Sequence, residues 1–74
     1  MGMTVYAFYW WEWGEQPTLD DIFPTEDDAR HIANSTLVQD NIEGVCVAKM
    51  RVTEYGMQHV ADVYVQEKKP RDEN

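Results

Sequence analysis

From Glu12 to Asp28 the chain reads EWGEQPTLDDIFPTEDD, and the reading of this stretch sets the order of everything around it. It separates a long apolar run from the next periodic segment. Gly14, Pro17 and Pro24 break regular structure, and the adjacent acids Asp20 and Asp21 favour solvent. Residues 14–24 therefore read as an exposed loop, pinned to the body by Leu19, Ile22 and Phe23. The stretch also carries seven carboxylates (Glu12, Glu15, Asp20, Asp21, Glu26, Asp27, Asp28), and the first basic residue of the chain is Arg30. A one-signed run of this kind repels nucleic acid and attracts cationic surfaces.

Upstream, Thr4 to Trp13 reads TVYAFYWWEW. Continuous β-branched and aromatic residues predict a strand with two apolar faces, Val5, Ala7, Tyr9 and Trp11 on one and Tyr6, Phe8 and Trp10 on the other. Downstream, Thr25 is placed to cap a helix by accepting from the Asp28 amide, with Asp28 answering as a short capping box. Glu26, Asp27 and Asp28 suit the positive end of the helix dipole. Ala29, Ile32, Ala33, Thr36 and Leu37 recur at helical spacing as the buried stripe. Glu26–Arg30 and Asp27–His31 are i, i+4 pairs. Asn41 to Gly44 is expected to end the helix, with Gly44 in a left-handed turn.

Val45 to Glu54 and Met57 to Gln66 read as a hairpin about a Tyr55-Gly56 turn. That register sets Cys46 opposite Val65, Ala48 opposite Val63, Lys49 opposite Asp62 and Val47 opposite Tyr64. The order is then β-α-β-β. A right-handed crossover leaves room for the last strand between the other two. The expectation is an α+β domain with a three-stranded antiparallel sheet of order 2-3-1 and one helix on one face, half of a ferredoxin-like unit. Residues 1–66 form the single domain, and residues 67–74 (EKKPRDEN) form a disordered charged tail.

Composition excludes more than it names. Seventy-four residues with 14 acidic and 6 basic side chains, and a net charge of −8, disfavour direct binding to phosphate backbones. No apolar run is long enough to span a bilayer, and the start lacks the basic region of a signal peptide. The single cysteine, Cys46, cannot form an internal disulfide and sits between two valines, which suits a buried apolar role and a cytoplasmic home. No calcium loop, zinc spacing, phosphate loop or nucleophile elbow occurs, so no catalytic residue, metal or cofactor is assigned and the chain reads as non-enzymatic.

In size, acidity and compactness the chain resembles small inhibitors encoded by phages and mobile elements, including anti-restriction and anti-CRISPR proteins. The resemblance implies an inhibitor whose carboxylates stand where a nucleic acid presents phosphates. The resemblance covers bulk properties only and assigns no residue; the residue-level expectation comes from the charge pattern. The seven carboxylates would dock on the basic surface of a nucleic-acid-binding protein, with Trp11, Trp13 and Phe23 as apolar anchors. An alternative makes the aromatic strand an oligomer interface. If Val5, Ala7 and Tyr9 face the helix, then Tyr6, Phe8, Trp10 and Tyr64 line an open sheet face that a homodimer would seal. The same face with Lys49 and Arg51 could serve as a base-stacking platform, against which the overall charge argues.

Overall fold

A computed structural model describes residues 2–69. β1 (Met3–Glu12) and β2 (Thr18–Phe23) form one antiparallel hairpin, and α1 (Glu26–Leu37) follows. β3 (Ile42–Thr53) and β4 (Gly56–Glu67) form a second hairpin. The two hairpins join through β1 and β3 into one antiparallel sheet of order β2-β1-β3-β4. The expected three-stranded sheet of order 2-3-1 is thus corrected to four strands, while the α+β class stands.

The difference comes from one segment. Residues expected as a loop contain β2, in which Thr18 pairs with Trp10 and Phe23 with Tyr6. A strand inserted before the helix reverses the direction of every element after it. β1 runs one way, β2 returns, α1 runs with β1, and β3 returns beside β1 in the antiparallel sense. No parallel crossover is needed, and β3 rather than the last strand takes the central place. Its burial reflects that position, whereas almost every residue of β4 is exposed at the edge.

The helix begins as its sequence dictates. Thr25 is extended and its Oγ1 accepts from the Asp28 amide at 3.2 Å. Ala29 and Ala33 are wholly buried, so the helix backbone comes close to the sheet. Beneath it lie Phe8, Val45, Val47 and Ile42, flanked by Tyr6, Trp10, Phe23, Val63 and Tyr64. Tyr64 donates from its hydroxyl to Asn34 Oδ1, and the Arg30 guanidinium lies 4.4 Å from its ring centre. The helix ends at Leu37 with Val38 as its cap. Gly44 is not in a turn: it lies inside β3 without a positive φ.

The second hairpin turns one residue earlier than expected. Thr53 pairs with Gly56, which has φ +120°, so Glu54 and Tyr55 form the turn. Two bulges in β4 then restore the expected pairs at the far end. Val60 and Val63 are each left unpaired, so that Cys46 meets Val65 and Val47 meets Tyr64. Between the bulges the expected partners change: Ala48 faces Asp62 and Lys49 faces Ala61. β4 continues to Glu67, and the Lys68 amide donates to the Glu43 carbonyl at 2.8 Å. The remainder of the expected tail, residues 70–74, lies outside the described residues.

Candidate functional site

The seven carboxylates do not form one cluster; they follow one edge of the molecule. Glu12 ends β1 and receives the Asn41 amide at 3.4 Å, while Glu15 shares a hollow of about 210 Å³ with Trp10, Glu12, Gln16 and Thr18. Asp20 is the bulged residue of β2, and Asp21 opposes Phe8 on the helix side of that outermost strand. Asp21 also accepts from the Ile22 amide at 2.8 Å. Glu26, Asp27 and Asp28 form the first turn of α1, which starts where β2 ends. Five residue steps along β2 cover about 17 Å, so the acids extend along the strand rather than around a point.

Among the described residues the only ion pairs are Arg30–Glu26 at 3.2 Å and His59–Asp62 at 2.7 Å. The expected Asp27–His31 pair is not one of them. Six of the seven acids therefore face water without a cationic partner. Lys49 and Arg51 come from β3, and Lys68 and Lys69 follow β4, where Lys68 Nζ donates to the Gln39 carbonyl at 2.7 Å.

The proposed anchors separate. Trp13 is 40 % exposed and turns away from β2: its indole N–H donates to the Asp40 carbonyl at 3.0 Å, and it shares a hollow with Asp40, Lys68 and Lys69. Phe23 belongs to the helix-side core. Trp11 lies on the opposite side of the sheet, flat over Gly44: a Cβ there would sit 2.1 Å from its Cζ2 atom. The residues assigned to an oligomer interface are also placed. Tyr6, Phe8, Trp10 and Tyr64 all pack on the helix side, and Phe8 is wholly buried. The open face belongs to the other row of β1, namely Val5, Ala7, Tyr9 and Trp11. Lys49 and Arg51 alternate with Ala48 and Met50 and so share the helix side.

On that open face a hollow of about 360 Å³ is lined by Tyr9, Trp11, Cys46, His59, Asp62 and Val65, with Pro17 and Ala48 completing it. The Val60 bulge is what makes this possible. In a regular strand residues three apart point to opposite faces, yet the bulge turns His59 and Asp62 to the same side, where they bond. The Cys46 thiol is pushed up from 9.0 to about 11 by burial, then by the negative charge of Asp62 and by donating a hydrogen bond to that carboxylate. A thiol held so firmly protonated is a poor nucleophile. Two units make the thiolate about 100-fold scarcer near neutral pH. The more basic thiolate is also more nucleophilic, which offsets about half of that on a logarithmic scale. Alkylation of Cys46 by iodoacetamide at pH 7.5 is therefore expected at least about 10-fold slower than that of an unhindered thiol. Asp62→Asn should recover part of that rate. Labelling as fast as free cysteine would contradict the assignment.

No group of three or more His, Cys, Asp or Glu converges on a possible metal position among the described residues. No helix among them is long and apolar enough to cross a membrane. No family model matches the chain, and no curated protein or solved structure is significantly similar to it.

Proposed function

We propose that this chain is a non-enzymatic binding protein that docks its acidic β2 edge on the basic, nucleic-acid-binding surface of another protein. The observation that supports this reading is the row of carboxylates from Glu15 through Asp20 and Asp21 to the first turn of α1, of which only Glu26 has a cationic partner among the described residues. The first-turn acids have a local use in the helix dipole, worth about 0.3–1 kcal/mol each at the surface. Glu15 and Asp20 have no such use, Asp21 has only its bond from the Ile22 amide, and Asp20 and Asp21 interrupt a strand that hydrophobic residues would complete. Such a surface steers a basic partner by long-range attraction and competes with DNA or RNA for it.

Binding of this kind is screened by salt, because the Debye length falls from about 10 Å at 0.1 M to about 3 Å at 1 M. The test is affinity capture from host lysate at low and high salt, followed by competition of the captured protein with duplex DNA and with RNA. Reversing Glu15, Asp20 and Asp21 to lysine should weaken capture by at least about 100-fold, since each reversal turns an attraction into a repulsion. A triple variant that captures the same partner equally well, or a partner that binds nucleic acid undisturbed, refutes the reading.

A further inference from the structure

The helix covers one side of the sheet, and the other side is an almost uninterrupted apolar surface. At its centre Ala7, Ala48 and Met50 are already buried by Val5 and Tyr9. Around them stand large apolar side chains exposed to solvent: Met3 (63 %), Leu19 (45 %), Ile22 (40 %), Met57 (39 %) and Val65 (50 %). Cross-strand pairing assigns each to this face. Met3 and Met57 oppose Val52, Leu19 opposes Tyr9, Ile22 opposes Ala7, and Val65 opposes Cys46. Among the residues whose cross-strand pairing places them on this face, carboxylate and imidazole side chains come from β4 alone: His59, Asp62 and, opposite Gly44, Glu67. His59 and Asp62 already satisfy each other.

We infer that this face is the interface of a homodimer in which two sheets pack against each other, leaving both helices and both acidic edges outside. Three observations choose a second copy as the occupant. The first is area. Strands about 4.8 Å apart with residues about 3.3 Å along them give a face of roughly 500–600 Å² in projection. Two copies then bury over about 1,000 Å², the size at which a specific interface becomes stable. The second is charge. A partner selected by the net charge of −8 would be basic, and this face offers it little, because its paired residues include only the carboxylates Asp62, already bonded to His59, and Glu67 at one end. The third is relief. Leu19, Ile22, Met57 and Val65 stand out on the outer strands β2 and β4, and a hollow with Tyr9, Trp11, Cys46 and Ala48 in its lining opens over the inner ones. A two-fold operation brings the raised rim of each copy against the hollow of the other, as an isologous interface requires.

This interface is independent of the acidic edge, so either reading can fail alone. Sedimentation equilibrium of the full chain at roughly 100 μM should give twice the 8.7 kDa protomer mass, as expected for a Kd of about 1 μM or tighter. Ile22→Lys with Val65→Lys places two charges on positions half exposed in the protomer; it should raise that Kd by at least about 100-fold while leaving the far-UV circular dichroism intact. Val38→Lys, at a site 78 % exposed beyond the helix, should leave the dimer unchanged. The Glu15, Asp20 and Asp21 reversals should also leave it unchanged. A wild type that sediments as a monomer at this concentration overturns the inference, whatever the variants do. A double-lysine variant that folds and remains a dimer places the contact elsewhere and overturns it equally.

Discussion

Phe8→Ala is expected to leave the protein largely unfolded at 37 °C. Phe8 is the largest of the wholly buried side chains, and it sits where the helix, β1 and β3 converge. Truncating a buried phenylalanine costs about 3–5 kcal/mol, through lost transfer energy and the cavity left behind. At about 0.05–0.15 kcal/mol per residue, a chain of 74 residues has only about 4–11 kcal/mol in total. Ala29 and Ala33 above it are too short to fill the gap, and Val45 and Val47 are fixed by the central strand. Loss of the cooperative thermal transition by circular dichroism, with Phe8→Leu keeping it, is the outcome expected. A variant melting within a few degrees of wild type would show that the core lies elsewhere.

The second large effect is expected at a residue with no side chain. A methyl group at Gly44 would fall 2.1 Å from Trp11 Cζ2 and 2.5 Å from Cε2, well inside contact distance. The indole must leave the sheet, or β3 must shift against β1. Forced overpacking costs typically about 1–3 kcal/mol and at times more. In a domain of this size each kilocalorie lowers the melting temperature by about 4–8 °C. Gly44→Ala should therefore lower it by roughly 10–20 °C. The cause is separable by a double-mutant cycle, because Trp11→Ala removes the clashing ring. If Gly44→Ala costs as much in the Trp11→Ala background as in wild type, the clash is not the reason.

Much of the fold follows from local chemistry legible in the chain. The Thr25 cap, the stripe through Ala29 and Ala33 and the Glu26–Arg30 pair all lie within a few residues of one another, and all form. β2 escapes such reading because its bulge at Asp20 breaks the alternation. Leu19 and Ile22, three apart, share a face, which in a regular strand they could not. With Asp20 and Asp21 between them and a proline on either side, the segment carries the signs of a loop. The presence of β2 reverses the parity of the chain and accounts for the strand order β2-β1-β3-β4 in place of 2-3-1. The pairing of Lys49 with Asp62 fails for a related reason: a bulge is a one-residue slip, and nothing in the spacing of β4 announces where it falls.

The candidate surfaces were legible in kind and not in place. Both rows of β1 are apolar, so hydrophobicity alone could not say which one the helix covers. The structure selects Tyr6, Phe8 and Trp10, whose bulk fills the space below the small Ala29 and Ala33. The row of Val5, Ala7 and Tyr9 is left to the open side. The acidic run was plain in composition, but that it extends along an outermost strand depends on β2 existing.

The bulges of the two outer strands have a consequence for growth. An exposed edge strand offers a row of backbone donors and acceptors on which further chains can add without limit. Here β2 is six residues long and broken at Asp20, and β4 is broken at Val60 and again at Val63. Each break twists the edge and interrupts its ladder, so neither margin is a good template for another strand. Sideways polymerisation into a ribbon is thereby hindered, and stacking through the faces closes after a single partner. A protein rich in β-structure, aromatic and small, can in this way be sticky in one direction and still remain finite.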